Sequence, residues 1–314
     1  MKRKITHLSK FFLLCLFFGL IILFPELCIK SATDGISTCL NIILPSLFPF
    51  MVLSKYLIYS GYGNKICRFF SFLSKIFRIN NSGSVAFVMG TFCGSPVGAS
   101  LICDMVKSGN LTKKQGEHIL GFCNNCGPLF LTGTVGTVLF SDKRIGWFLC
   151  VIHILSAFLT GILVRNKKYE VNGRTAVIPS DKAPFVNAVN DSISAMTGIF
   201  GFVIIFSVIC GFLIAFSPLK SDISTTLLCG ILEISCGCIY ISALHLALPL
   251  KLCLISLICS FGGLCILFQT IFITKKTGLS VMPCLKTKLL FSVVSFCLCF
   301  LFCTLSALFN ISFF

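Results

Sequence analysis

Cys93-Gly94-Ser95-Pro96-Val97-Gly98 interrupts an apolar run, residues 84–106, that otherwise has the length of a membrane span. A helix needs about 20 predominantly apolar residues to cross the hydrocarbon core. Here two glycines lower helix propensity at the midpoint and the proline removes a backbone donor, so one plain helix is disfavoured. Backbone that leaves helical geometry at membrane depth is tolerated only where protein buries it or a watery cavity receives it. The run therefore reads as two short helices meeting at a turn, a re-entrant hairpin.

Eight further segments approach a span: 11–29, 36–60, 119–141, 145–164, 193–217, 223–249, 251–273 and 287–311. One of them, 223–249, is also a poor plain span, because Glu233 is followed by the weak point Ser235-Cys236-Gly237-Cys238. Lys and Arg collect on the cytoplasmic side of membrane proteins, which tests whether these two poor spans cross. If both turn back, the 26 basic residues divide 21 to 5, with Lys2, Lys55, Lys107, Lys275 and Lys288 among those inside; if all nine cross, the split falls to 16 against 10. Seven crossings and two hairpins is the better count. It puts the N-terminus in the cytoplasm and the C-terminus outside, and the two hairpins enter from opposite sides.

Composition agrees. The chain is 56% hydrophobic and 11% charged, with mean hydropathy +0.99, against about 25% charge in soluble domains. This excludes an ordinary soluble enzyme or nucleic-acid binder, and the net charge of +16 is a topology signal before it is a ligand signal. Twenty cysteines lie scattered in apolar runs such as Phe296-Cys297-Leu298-Cys299-Phe300. They read as small apolar residues of a reducing cell, not as a disulfide scaffold. Cys123-Asn124-Asn125-Cys126 lacks a second pair or a histidine at zinc spacing, so no metal is assigned. Lys2-Arg3-Lys4 before Phe11–Phe24 resembles a signal peptide without a cleavage site, and is expected to stay as the first membrane helix.

The opposed hairpins call for a search for repeats, since inverted duplicated halves are a common transporter plan. Pro45–Ser54 can be laid on Thr197–Phe206, Gly90–Ser95 on Gly230–Ser235, and Cys123–Leu129 on Cys259–Cys265, in the same order and at similar spacing. The expected organisation is an N-terminal membrane helix over 1–35, a first repeat over 36–164, a basic cytoplasmic linker over 165–190 and an inverted second repeat over 191–314. Residues 61–82, with Lys65, Arg68, Lys75 and Arg78 among Phe69, Phe70, Phe72 and Phe77, read as a basic amphipathic helix on the inner leaflet.

A carboxylate near the bilayer centre costs roughly 2.5–3.5 kcal/mol on insertion scales, so Glu233 must face a partner, a cavity or a proton. It is suited to a cation, to a polar solute or to a coupling proton. Gln269, Asn124 and Asn125 add amide donors and acceptors without fixed charge. The turn at Gly94, Ser95 and Gly98, and the pair Gly262-Gly263, place irregular backbone where half-helix ends can meet a solute or ion. Asn41, His153 and His245 are assigned to packing or interfaces, and Asp104 and Asp191 to solvated span ends. No phosphate-binding loop, zinc-protease motif, nucleophile elbow or pair of acids at helical spacing within a span occurs, so no catalytic residue is assigned and the chain is not expected to be an enzyme.

Leu44-Pro45-Ser46-Leu47-Phe48-Pro49-Phe50, Gly94-Ser95-Pro96-Val97-Gly98-Ala99, Asn124-Asn125-Cys126-Gly127-Pro128-Leu129-Phe130, Leu232-Glu233-Ile234-Ser235 and Ser260-Phe261-Gly262-Gly263-Leu264 together resemble the YlbJ-type sporulation integral membrane proteins of endospore-forming Firmicutes. The resemblance covers about residues 36–311 and departs at Ser95, Cys126 and Cys236. It implies a nucleoside-recognition, or Gate, domain, and an all-α polytopic fold of two inverted repeats, distantly similar to concentrative nucleoside transporters. It also implies a role in spore cortex or envelope formation in the mother-cell or forespore membrane. The expectation is a permease for a small polar solute, nucleoside-like or a spore-envelope precursor. No cofactor is expected beyond a coupling cation or proton. Partners are the solute and the lipid bilayer, not nucleic acid, with sporulation membrane proteins and a second copy of the chain left open. The competing expectation is a non-transporting membrane scaffold or receptor that recruits spore-envelope machinery through its basic regions.

Overall fold

The computed structural model describes residues 2–62, 65, 68–165, 182–217 and 223–308, with side chains from residue 11 onward. Helices account for every regular element among the described residues. The first, α1, spans Lys2–Leu23 and ends at Phe24, because Pro25 starts α2 (Pro25–Thr38). Proline suits the first helical turn, where its missing N–H has no partner to lose. The second apolar segment thus begins at residue 25, earlier than the expected 36, and the first ends by 23 instead of 29.

Through a π-helical turn, Cys39–Ile43, α2 continues into α3 (Leu44–Tyr59). The wide turn sits just before Pro45, which has no N–H to give the carbonyl four residues back and whose ring would press on it. After a short α4 (Ser71–Phe77), the interrupted run forms α5 (Asn81–Cys93) and α6 (Val97–Lys107). At about 20 and 16 Å, neither is long enough to cross. A capping box of Thr112 and Gln115 starts α7 (Lys113–Cys123). The chain then breaks at Asn124–Pro128 and resumes as the π-wound α8 (Phe130–Leu139), followed by α9 (Lys143–Leu163), which Asp142 caps through the Arg144 amide.

The second half repeats this order. A long α10 (Pro184–Phe216) precedes two short helices, α11 (Ile223–Leu232) and α12 (Ile234–Ala243). A broken pair follows, α13 (Leu248–Phe261) and α14 (Gly263–Thr274), then a long α15 (Met282–Leu308). Gly262 and Gly263 both have positive φ, 87° and 71°, which only glycine adopts freely in succession. The pairings repeat as well: α6 packs on α14, and its counterpart α12 packs on α8, while the leading helices α3 and α10 pack on each other. The last residues of the expected linker, from Pro184, belong to α10; its stretch 166–181 lies outside the described residues.

Among the described residues five helical stretches, 25–59, 143–163, 184–216, 248–277 and 282–308, are long and apolar enough to cross a membrane. Their outer faces expose large apolar side chains, such as Leu53, Val151, Leu159, Val293 and Phe300, which water would not tolerate in such density. By contrast α5 is buried on nearly all sides, with Val85, Ala86, Phe87, Val88 and Met89 consecutive in the core. Its sheath includes the Phe77 ring, which meets Phe87, Phe158 and Phe122 edge-on at 4.8, 5.2 and 5.6 Å. The chain is an integral membrane protein; the first short-helix hairpin sits largely inside it, while the second keeps an exposed apolar face at Leu228, Ile231 and Ile239. The described cysteines are free thiols.

Candidate functional site

Each hairpin closes on a pair of glycines flanking its tip. A Cβ at Gly90 would collide with the Cys123 carbonyl and stand 3.0 Å from Gly98 Cα; a Cβ at Gly98 would meet the same carbonyl. In the second hairpin a Cβ at Gly237 would collide with Gly230, and both glycines press on Ile258. The matched residues Gly90 and Gly230 therefore do the same work, each against the segment that ends just before a helix break.

At the first tip the Ser95 amide donates to the Asn125 carbonyl at 2.6 Å, and a Cβ at Gly94 would lie 2.8 Å from Gly127 Cα. Tip and break are thus joined backbone to backbone. At the second tip Glu233 leaves the helical conformation and caps α12, its Oε2 accepting from the Cys236 amide at 2.8 Å. This arrangement gives the buried carboxylate a helix N-terminus, where the macrodipole and free N–H groups favour negative charge.

The two tips face one cavity of about 50 Å³, with Ser95 on one side, Glu233 and Ser235 on the other, and Gln269, Ser46, Cys126 and Phe130 completing the wall. At about 10–15 Å³ for each water, it holds a few waters or a desolvated ion in this conformation. Ser95 Oγ finds no hydrogen-bond partner, although Gln269 Nε2 donates to Cys265 Sγ at 3.2 Å.

Of the residues expected at the site, Glu233, Gln269 and Ser95 come together here. Asn124 and Gly263 line a neighbouring cavity of about 10 Å³, while Gly94, Gly98, Asn125 and Gly262 line neither. Asn124 and Asn125 are structural in large part: Asn124 Nδ2 donates to Thr270 Oγ1 at 2.9 Å, and Asn125 Nδ2 to Thr91 Oγ1 at 3.1 Å and to the Phe122 carbonyl at 2.9 Å. Their Oδ1 atoms are buried without a partner, an energetic liability of about 1–3 kcal/mol each unless something binds there.

Two further buried residues adjoin this centre. Lys288, counted among the cytoplasmic charges, is buried on α15, its Nζ donating to the Asn124 carbonyl at 2.6 Å and lying 4.9 Å from the Phe291 ring centre. His153, assigned to packing or interfaces, ties the breaks of both halves: its Nε2 lies 3.1 Å from the Cys126 amide nitrogen and its Nδ1 3.1 Å from Ser260 Oγ. Because the amide can only donate, Nε2 accepts, and Nδ1 carries the proton toward Ser260. For metal chemistry, Cys253, Cys299 and Cys303 on α13 and α15 bring three sulfurs within 4.8 Å of one another, but none lines the cavity.

The chain is 26% identical over 310 aligned residues to the "Sporulation integral membrane protein YlbJ" of Bacillus subtilis (strain 168), an alignment covering 85% of this chain and 75% of that one. This similarity supports the YlbJ-type assignment drawn from the motifs. No family model matches the chain and no solved structure does, so the nucleoside-recognition domain rests on the motif resemblance.

Proposed function

We propose that the chain is a sporulation-associated membrane permease that passes a small polar solute through the cavity between its two hairpin tips. The observation that carries this reading is the meeting of a carboxylate, an amide and hydroxyls from both halves at one buried cavity. Intramembrane ionisable groups mark solute and ion pathways more often than packing. The sporulation assignment draws on the name of the relative and on the motif resemblance.

Under this reading the two halves are inverted repeats and the hairpins are re-entrant, entering from opposite faces, with the N-terminus cytoplasmic. Each hairpin then acts as a gate, and rocking of one half against the other exposes the cavity alternately. Glu233 holds the coupling proton or cation or a solute hydroxyl, Gln269 and Ser95 supply neutral hydrogen bonds, and the solute is nucleoside-like or a spore-envelope precursor. The membrane in question is that of the mother cell or forespore.

Glu233→Gln tests it, because the glutamine oxygen can still accept from the Cys236 amide and only the charge is lost. Heat-resistant spore counts should fall by more than about tenfold, equivalent to about 1.4 kcal/mol at a rate-limiting step, with the protein at its normal level in the membrane. Full sporulation would overturn the permease reading and favour a scaffold. That second reading draws on the exposed Phe69 and Phe72 beside Arg68 and Lys75, a surface suited to lipid or to recruited machinery.

A further inference from the structure

A second cavity, about 200 Å³ against about 50 Å³ for the central one, opens where α3, α6, α10 and α14 meet. Its charged lining is Lys55, Asp104, Lys107, Asp191 and Lys276, drawn from both halves of the chain. Asp191, Lys107 and Lys276 are exposed there and Asp104 is half-buried, as expected of a span end, but Lys55 is not. Lys55 is only 4% exposed, and its Nζ donates to Ser100 Oγ at 3.0 Å.

The charges do not cancel. Asp104 is shared between Lys55 at 4.0 Å and Lys107 at 3.9 Å, both at the outer limit of an ion pair and beyond hydrogen-bonding reach. Asp191 accepts from the Tyr59 hydroxyl. Lys276 has no acid within ion-pair range among the described residues, and Lys113 stands nearby, its Nζ 3.3 Å from where a Cβ on Gly278 would be. Three ammonium groups around two carboxylates, one of them buried and loosely paired, leave a positive cavity whose N–H donors are mostly unspent. Ammonium groups bind phosphate as point charges and tolerate varied geometry.

We propose that this cavity binds a phosphate group through Lys55, Lys107 and Lys276, at a site separate from the one at the hairpin tips. The phosphate arrives on a soluble solute or on a lipid headgroup, and the same chemistry serves both.

Isothermal titration of the full chain in neutral detergent with inorganic phosphate at low salt tests it. Saturable binding is expected. Lys276→Gln, at an exposed position, should weaken it about fivefold and Lys276→Arg should preserve it, as one partly screened charge contact is worth about that factor. Asp104→Asn should tighten binding by about the same factor, because it releases two lysines from one acid, an effect that loss of structure would not produce. Glu233→Gln should leave binding unchanged, whatever its effect on sporulation. Binding to phosphatidylglycerol nanodiscs without binding to free phosphate would assign the site to a lipid headgroup. Failure of both probes, or equal affinity in wild type and Lys276→Gln, would overturn the proposal.

Discussion

The first hairpin is clamped and the second is padded. Gly90 and Gly98 rest directly on the Cys123 carbonyl, and the tip is joined to the facing break through the Ser95 amide and the Asn125 carbonyl. In the second hairpin Gly230 and Gly237 rest on each other and on the side chain of Ile258, and the tip carries the buried Glu233. The same order of helices thus holds a tip joined backbone to backbone to the facing break in one half and a tip carrying an ionisable group in the other.

The largest effect that would sharpen this contrast is on stability. An alanine at Gly90 has backbone on the far side of its new methyl and should cost more than about 3 kcal/mol, the upper range of overpacking penalties, whereas Gly230→Ala, which meets the end of Ile258, should cost about 1 kcal/mol. Thermal unfolding in detergent measures both, and equal losses would erase the distinction between clamp and pad. Next in size is the cap on α12. Glu233→Ala should lose about 1 kcal/mol with the helix cap, while Glu233→Gln, which keeps the acceptor, should stay within about 0.5 kcal/mol of wild type. Smallest is Ser95→Ala, which deletes a hydroxyl that has no partner and should be neutral or stabilising by up to about 1 kcal/mol. A clear loss there would mean that the first tip also depends on polar contacts.

The hairpins, the breaks and the acid between them were legible because glycine, proline and a buried carboxylate are costly in an apolar helix wherever they occur. The meeting of Ser95, Glu233 and Gln269 could only be suspected, since sequence order does not say which tips touch. Lys288 was misplaced for a physical reason: it lies seven residues into α15, close enough to Lys286 to be counted with the loop charges, and burial depends on α15 leaning over the first break. His153 sits on a helix apolar on most sides, where periodicity cannot tell which face meets protein. The charged cavity was hidden because Asp104 and Asp191 lie near span ends, which suggests solvent, and the buried Lys55 that faces Asp104 comes from a distant part of the chain.

Two walls of the central cavity, residues 39–43 leading to Ser46 and residues 130–139 beginning at Phe130, are wound as π-helix. Such a winding stores one surplus residue for each wide turn. If the surplus slides along the helix, the residues it passes rotate by about 100° each, one helical step, while every backbone bond is exchanged for its neighbour. Ser46, Leu47 and Phe130 can therefore be turned into or out of the cavity by a register change within a wall, without either helix moving as a body.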